Sequence, residues 1–150
     1  MCWLLNVLVF SSFLVFFMRK KLQDILESLA ADLPGFESAA VVAVGDGLSV
    51  AELSRDPQKE TAAAAAYLAS IVKSNTRAIK LLTESQRAED ILVSTDQFYY
   101  LIREVPGLPF FVFLMIRREG WLGMARMLIK KLEPEVASIL TTYLDVSEEM

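Results

Sequence analysis

The spacing of apolar positions changes along this chain, and each change marks a predicted element. Leu22, Ile25, Leu26, Leu29 and Leu33 recur at helical spacing, with Gln23, Asp24, Glu27 and Ser28 between them. This pattern predicts an amphipathic helix with one apolar face, ended by Pro34-Gly35 because proline cannot continue it and glycine accepts a left-handed cap. Ala39 to Val44 is apolar on both alternating faces and rich in β-branched residues, the signature of a central strand covered on both sides. Leu48 to Leu53 alternates apolar and polar, as a half-buried strand does. Gly45-Asp46-Gly47 lies between the two runs. Asp-Gly in that setting predicts a hairpin, from about Phe36 to Leu53, closed by a tight primed turn whose positive φ glycine accepts.

Asp56 is a suitable N-cap and Pro57 suits a first helical position, so the next helix is predicted to run from Pro57 to about Thr83, through the alanines 62–66. It carries two apolar stripes. Leu68, Val72, Ile79 and Leu82 form one; Tyr67, Ile71 and Ala78 form the other. One stripe must cover the sheet. The second, with small alanines that permit close backbone approach, either widens a buried face within one subunit or meets a second copy of the same helix. Three strands follow, at Ile91–Ser94, Phe98–Val105 and Leu108–Ile116, with turns at Asp96-Gln97 and Pro106-Gly107. The third is apolar on both faces and reads as central, Pro109 being tolerated at its beginning. The last helix begins near Gly120 with Leu122, Ala125, Leu128, Ile129 and Leu132 on its apolar face. Pro134 is expected to interrupt it, leaving Val136, Ile139, Leu140 and Tyr143 on a kinked continuation or a second short helix.

Ahead of these elements, residues 1–18 contain no charge, and only Asn6, Ser11 and Ser12 break the apolar run. This is close to the length of about 20 apolar residues that a membrane helix needs, and Arg19-Lys20-Lys21 would then hold the following domain in the cytoplasm. Alternatively, Met18 is the natural start of a cytoplasmic domain. A signal peptide fits less well, because no positive n-region or small-residue cleavage site is present. The chain therefore divides into an apolar N-terminal segment (1–18), one domain (19–144) and an acidic tail (145–150), whose end is expected to fray.

The 150 residues suffice for one core. A net charge of −4 and a pI near 4.9 argue against nucleic-acid binding. One cysteine, Cys2, rules out an internal disulfide. The absence of histidine removes the usual general base and the commonest metal ligand. No metal-ligand cluster, cofactor motif or phosphate loop is evident, and the serines have no visible base. Glu27, Asp32, Glu52, Glu60, Glu84, Glu89 and Asp90 read as solvated or capping charges. Arg117, Arg118 and Arg126 invite comparison with an arginine finger, which neutralises charge on a transferring phosphoryl group; placement in a loop or on the polar side of the last helix explains them more simply. The aromatics Phe98, Tyr99, Tyr100, Phe110, Phe111 and Phe113 fall at strand spacing and are mostly core.

The predicted order is α-β-β-α-β-β-β-α, an α+β fold with a five-stranded antiparallel sheet, one long crossover helix and terminal helices, roadblock/profilin-like in outline. Leu33-Pro34-Gly35-Phe36, Gly45-Asp46-Gly47-Leu48, the alanine-rich helix and Trp121-Leu122-Gly123-Met124-Ala125-Arg126 together resemble the roadblock/light-chain-7 family over about residues 20–140. The last of these motifs is similar to the family's N-L-G-x-x-R helix start. The resemblance implies a domain that forms homodimers by pairing third strands edge to edge and packing long helices side by side. Here that would involve Ala63, Tyr67, Ile71, Ala78, Ile91, Leu92, Val93 and Ser94. It also implies a non-catalytic regulator or adaptor, with a small Ras-like GTPase in a prokaryotic cytoplasm as partner, acting without supplying an arginine. A membrane-tethered scaffold is the alternative, with residues 1–18 as its tether to the inner face of the cell membrane.

Overall fold

The computed structural model describes residues 2–84 and 88–148. They form α1 (Cys2–Asp32), β1 (Phe36–Ala43), β2 (Ser49–Ser54), α2 (Thr61–Leu82), β3 (Ile91–Ser94), β4 (Phe98–Glu104), β5 (Phe110–Arg117) and α3 (Leu122–Glu148). The element order and the α+β class are those predicted. The strands make one antiparallel sheet in the order β2-β1-β5-β4-β3. β1 and β5 sit in its middle and are buried along nearly their whole length, which is why both sequences are apolar on both faces.

Side chains on one face, including Ala39, Val41, Leu101, Val112, Leu114 and Ile116, pack with Leu22, Leu26, Leu29, Ile129, Val136 and Leu140 of α1 and α3. Those on the opposite face, including Ala40, Val42, Ile102, Phe111, Phe113 and Met115, pack with Ala65, Ala69 and Val72 of α2. The alanines of α2 are thus divided. Ala65 and Ala69 are core, whereas Leu82, predicted to cover the sheet, is exposed. At those two core positions methyl groups let the helix backbone sit close to the sheet.

Several local expectations are corrected. The helix read from the apolar face Leu22–Leu33 extends well ahead of it; α1 is one continuous helix of 31 residues that also takes in residues 2–18. Met1 lies outside the described residues. α2 begins at Thr61, not Pro57. Asp56 instead closes a turn, its Oδ1 accepting from the Gln58 amide at 3.0 Å and its carbonyl from the Lys59 amide at 3.1 Å. The side chain that was to cap the helix therefore holds the approach to it. α3 continues through Pro134. Ile129 before the proline and Val136 and Leu140 after it are all buried in the same core, so packing on both sides offsets the lost Lys130 carbonyl partner. The helix also extends into the predicted acidic tail as far as Glu148, with Val146 buried. Glu149 and Met150 lie outside the described residues.

The hairpin is present, but its turn is not primed. Asp46 has no positive φ; only Gly47 does, at 72°. The Gly47 amide bonds the Ala43 carbonyl at 3.0 Å, and Asp46 Oδ1 accepts from the Leu48 amide at 3.0 Å, so an Asx-type contact shapes a longer loop. This loop rests on α2. A Cβ on Gly47 would lie 2.8 Å from Ala66 Cα. Gly47→Ala is accordingly expected to lower stability by about 2 kcal/mol, combining left-handed strain with the clash. Gly45→Ala, which meets nothing within 4 Å, should change it by only a few tenths. Urea denaturation of the two variants checks this, and equal midpoints would contradict it.

Candidate interaction surface

The two faces of the sheet are unequally covered. Strands stand about 4.8 Å apart and helices pack about 10 Å apart, so a five-strand face is roughly 20 Å wide and takes two helices. One face has two, α1 and α3. The other has α2 alone, which lies against β1 and β2. Over β4 and β3 that face is only partly covered, and Ile91, Phe98 and Tyr100 are half-buried there. A groove of about 360 Å³ runs beside α2, lined by Leu68, Tyr100, Phe113 and Met115 with Lys59 and Thr61 at one end.

The predicted interface residues border this opening. Ala63, Tyr67, Ile71 and Ala78 occupy the outer side of α2 and are exposed, Tyr67 at 78% and Ile71 at 42%. Leu81, which sequence reasoning passed over, is 87% exposed and shares that side by helical spacing. Ile91 and Val93 pair with Ile102 and Tyr100 and so point to the α2 side of the sheet; Leu92 and Ser94 point to the other and are exposed. β3 is the last strand of the sheet, with no neighbour beyond it among the described residues. The α2 stripe faces away from the sheet and the β3 edge lies at its rim. They flank the uncovered half-face.

A second arrangement was missed by sequence reasoning altogether. The ladder between β1 and β5 is irregular between Phe36 and Ser38, and this local bulge re-aims Glu37. Its side chain is only 7% exposed as a residue, yet it is paired twice. Arg117 Nε donates to Oε1 at 2.7 Å and Lys59 Nζ donates to Oε2 at 3.1 Å. The Arg117 hydrogen bond holds the Glu37 carboxyl below its ordinary range, outweighing burial, with Lys59 adding to the effect. Arg117 is in turn raised by Glu37. The cluster binds three segments together: β1, the turn before α2 and the end of β5. No spacing rule could have revealed it, because Glu37 and Arg117 are 80 positions apart.

The other two arginines are also engaged. Arg126 makes a two-pronged contact with Asp90, Nε to Oδ2 at 2.9 Å and Nη2 to Oδ1 at 3.2 Å, which raises its pKa and ties α3 to the approach to β3. Arg118 donates to the Thr95 carbonyl at 2.9 Å and lies over the Tyr99 ring. Asp90, expected to be merely solvated, is thus a structural partner. Among the described residues no group of three His, Cys, Asp or Glu is gathered as a metal would require.

No family profile matches the sequence, and no curated protein matches it. Solved structures do match in fold. A roadblock/LC7 domain from Streptomyces avermitilis aligns at 17% identity and a TM-score of 0.66, covering 77% of this chain and 97% of that one. MglB from Myxococcus xanthus aligns at 16% and 0.74, covering 83% and 91%. An MglB structure with a tetrameric arrangement aligns at 16% and 0.75, covering 84% and 92%. The chain has the roadblock/LC7 fold: a five-stranded antiparallel sheet with the long crossover helix on one face and the terminal helices on the other.

The Glu37 cluster gives a pH signature. A carboxyl whose folded-state pKa is depressed contributes stability above its unfolded value, near 4.5, and that contribution is lost as pH falls through the folded value. Glu37→Gln should cost about 1–2 kcal/mol at neutral pH. The gap between wild type and variant should narrow as pH drops below about 4.5. Denaturation midpoints measured across pH 3–7 check this; a gap independent of pH would contradict it.

Proposed function

We propose that this protein is a homodimeric, non-catalytic regulator or adaptor whose partner is a small Ras-like GTPase of a prokaryotic cytoplasm. The observation that carries the reading is the half-covered sheet face, flanked by an exposed apolar stripe on α2 and an open β3 edge. A second copy of α2 fits the vacant helix position and would bury Tyr67, Ile71 and Leu81 on both subunits. The roadblock/LC7 fold supports this, as does the tetrameric arrangement of a structurally similar MglB. The GTPase partner follows from the family resemblance carried by the sequence motifs. Recognition of one nucleotide state in preference to the other would shift the partner's equilibrium.

Non-catalytic action is supported by the state of the three arginines. Each already serves a carboxylate or a carbonyl of its own chain, and a finger would have to leave that partner to reach a phosphoryl group. A second reading, a scaffold tethered to the inner face of the cell membrane, is favoured by one specific observation. α1 is long and apolar enough to cross a membrane, and its first turns stand clear of the domain.

Affinity capture from native extracts loaded with GDP or a GTP analogue tests the leading reading. The wild-type chain should recover a small GTPase from one state in excess of the other. Ile71→Glu, which places a carboxylate opposite its own copy, should split the dimer and reduce that recovery at least tenfold. Equal recovery from both states, or none, would favour the scaffold.

A further inference from the structure

α1 changes character near Ser11. Trp3, Leu4, Leu5, Val7, Leu8, Val9 and Phe10 are all exposed, and at 100° per residue they cover the whole circumference of the helix. From Ser11 onward one side is withdrawn from solvent: Ser11, Met18 and Leu22 are buried, Leu14 and Val15 half-buried. α3 supplies the neighbouring surface. It runs antiparallel to α1: Ile129 and Leu132 line one cavity with Ile25 and Leu29, and further along the pair the Tyr143 hydroxyl lies 3.5 Å from an Arg19 guanidinium nitrogen. With equal rise on the two helices, that register carries the last turns of α3, with buried Val146, alongside about residues 14–18. The opposite side of the same stretch stays open. Phe13, Phe16 and Phe17 are exposed there, Phe13 stacks with Phe17, and the Lys21 ammonium lies 4.9 Å from the Phe17 ring centroid.

We propose that α1 docks on an anionic lipid bilayer with the hydrocarbon boundary near residues 10–13, and not at the charged triplet Arg19-Lys20-Lys21. This rests on the membrane-tether reading but replaces a crossing by a shallow insertion, since about ten residues at about 1.5 Å each reach only about half way through a hydrocarbon core of about 30 Å. A helix apolar on every side suits a fluid hydrocarbon, whereas a protein groove would call for a single apolar face. Residues 3–10 therefore lie among acyl chains. Phe13, Phe16 and Phe17 lie at the interface, where Arg19, Lys20 and Lys21 meet lipid phosphates. Insertion to Arg19 would carry the last turns of α3 with it. Asp145 and Glu148 are exposed there, and carboxylates are costly in hydrocarbon. The α1–α3 pair thus acts as a depth stop, holding the sheet and the open α2 face close to the membrane.

The test uses the full chain with vesicles of phosphatidylcholine alone or mixed with phosphatidylglycerol. An environment-sensitive fluorophore is placed on the native Cys2 or, in a Cys2→Ala background, on Thr142→Cys in α3. Vesicle binding should be at least tenfold tighter with the anionic lipid and should weaken by a similar factor in Lys20→Glu/Lys21→Glu. The Cys2 probe should shift to the blue and be quenched by acyl-brominated lipid, while the Thr142 probe should be quenched by neither mid-chain nor deep bromines. A Thr142 probe quenched from the acyl region would overturn the depth stop and leave the tether reading intact. Failure to bind either vesicle, or soluble oligomers that Phe10→Asp disperses, would overturn both.

Discussion

β1 and β5 lie side by side in the interior of the sheet, and helices cover both faces of this pair. Neither strand can therefore carry an unpaired polar side chain in its middle, and nearly every position from Ala39 to Ala43 and from Phe110 to Ile116 is buried apolar. The remaining architecture adapts to this pair. β2 and β4 flank it, β3 is left at the rim, and each helix turns an apolar face toward one side. The buried charge at the pair's margin, Glu37, is tolerated because two cations meet it. A buried carboxylate without partners would be neutralised or expelled; with Lys59 and Arg117 it becomes a clip between segments.

The same constraint explains what was legible in the sequence. The doubly apolar runs identified the central strands, and the 3–4 spacing of Leu22 to Leu33 identified the core face of α1. The second stripe of α2, Tyr67, Ile71 and Ala78, was visible by its spacing but open between a wider buried face and a second copy; the structure leaves all three exposed. What escaped notice was decided by contacts distant in sequence. Asp56 has every local attribute of a helix cap, yet the turn it closes is fixed together with Lys59, whose partner lies on β1. Pro134 breaks the local rule because packing on both sides holds the helix through it. The Asp-Gly pair predicted a primed turn, but the loop is shaped by its seat on Ala66 and by the Asp46 side chain. Glu37 and the Arg126–Asp90 pair carried no periodic signal at all.

The chemistry of the surface follows from these placements. The groups with shifted equilibria, Glu37, Arg117 and Arg126, are each paired with an opposite charge of the same chain, and Glu37 and Arg117 line an open cleft with Arg55 and Lys59. What the molecule offers outward is apolar area and strand edge. A sheet face that takes two helices and has one, together with an outer β3 edge that has no neighbour among the described residues, is a surface with a defined shape to fill. An exposed edge of this kind is a liability in a monomer, and a symmetric partner removes it.

Hydrogen exchange along β3 tests that central claim most directly. If a second copy closes the edge, the amides of residues 91–94 that face away from β4 should be protected at micromolar protein concentration and lose protection on dilution, in step with those under the α2 stripe. Free exchange of those amides at every concentration, with β4 and β5 fully protected, would contradict it and leave the uncovered half-face a property of the monomer.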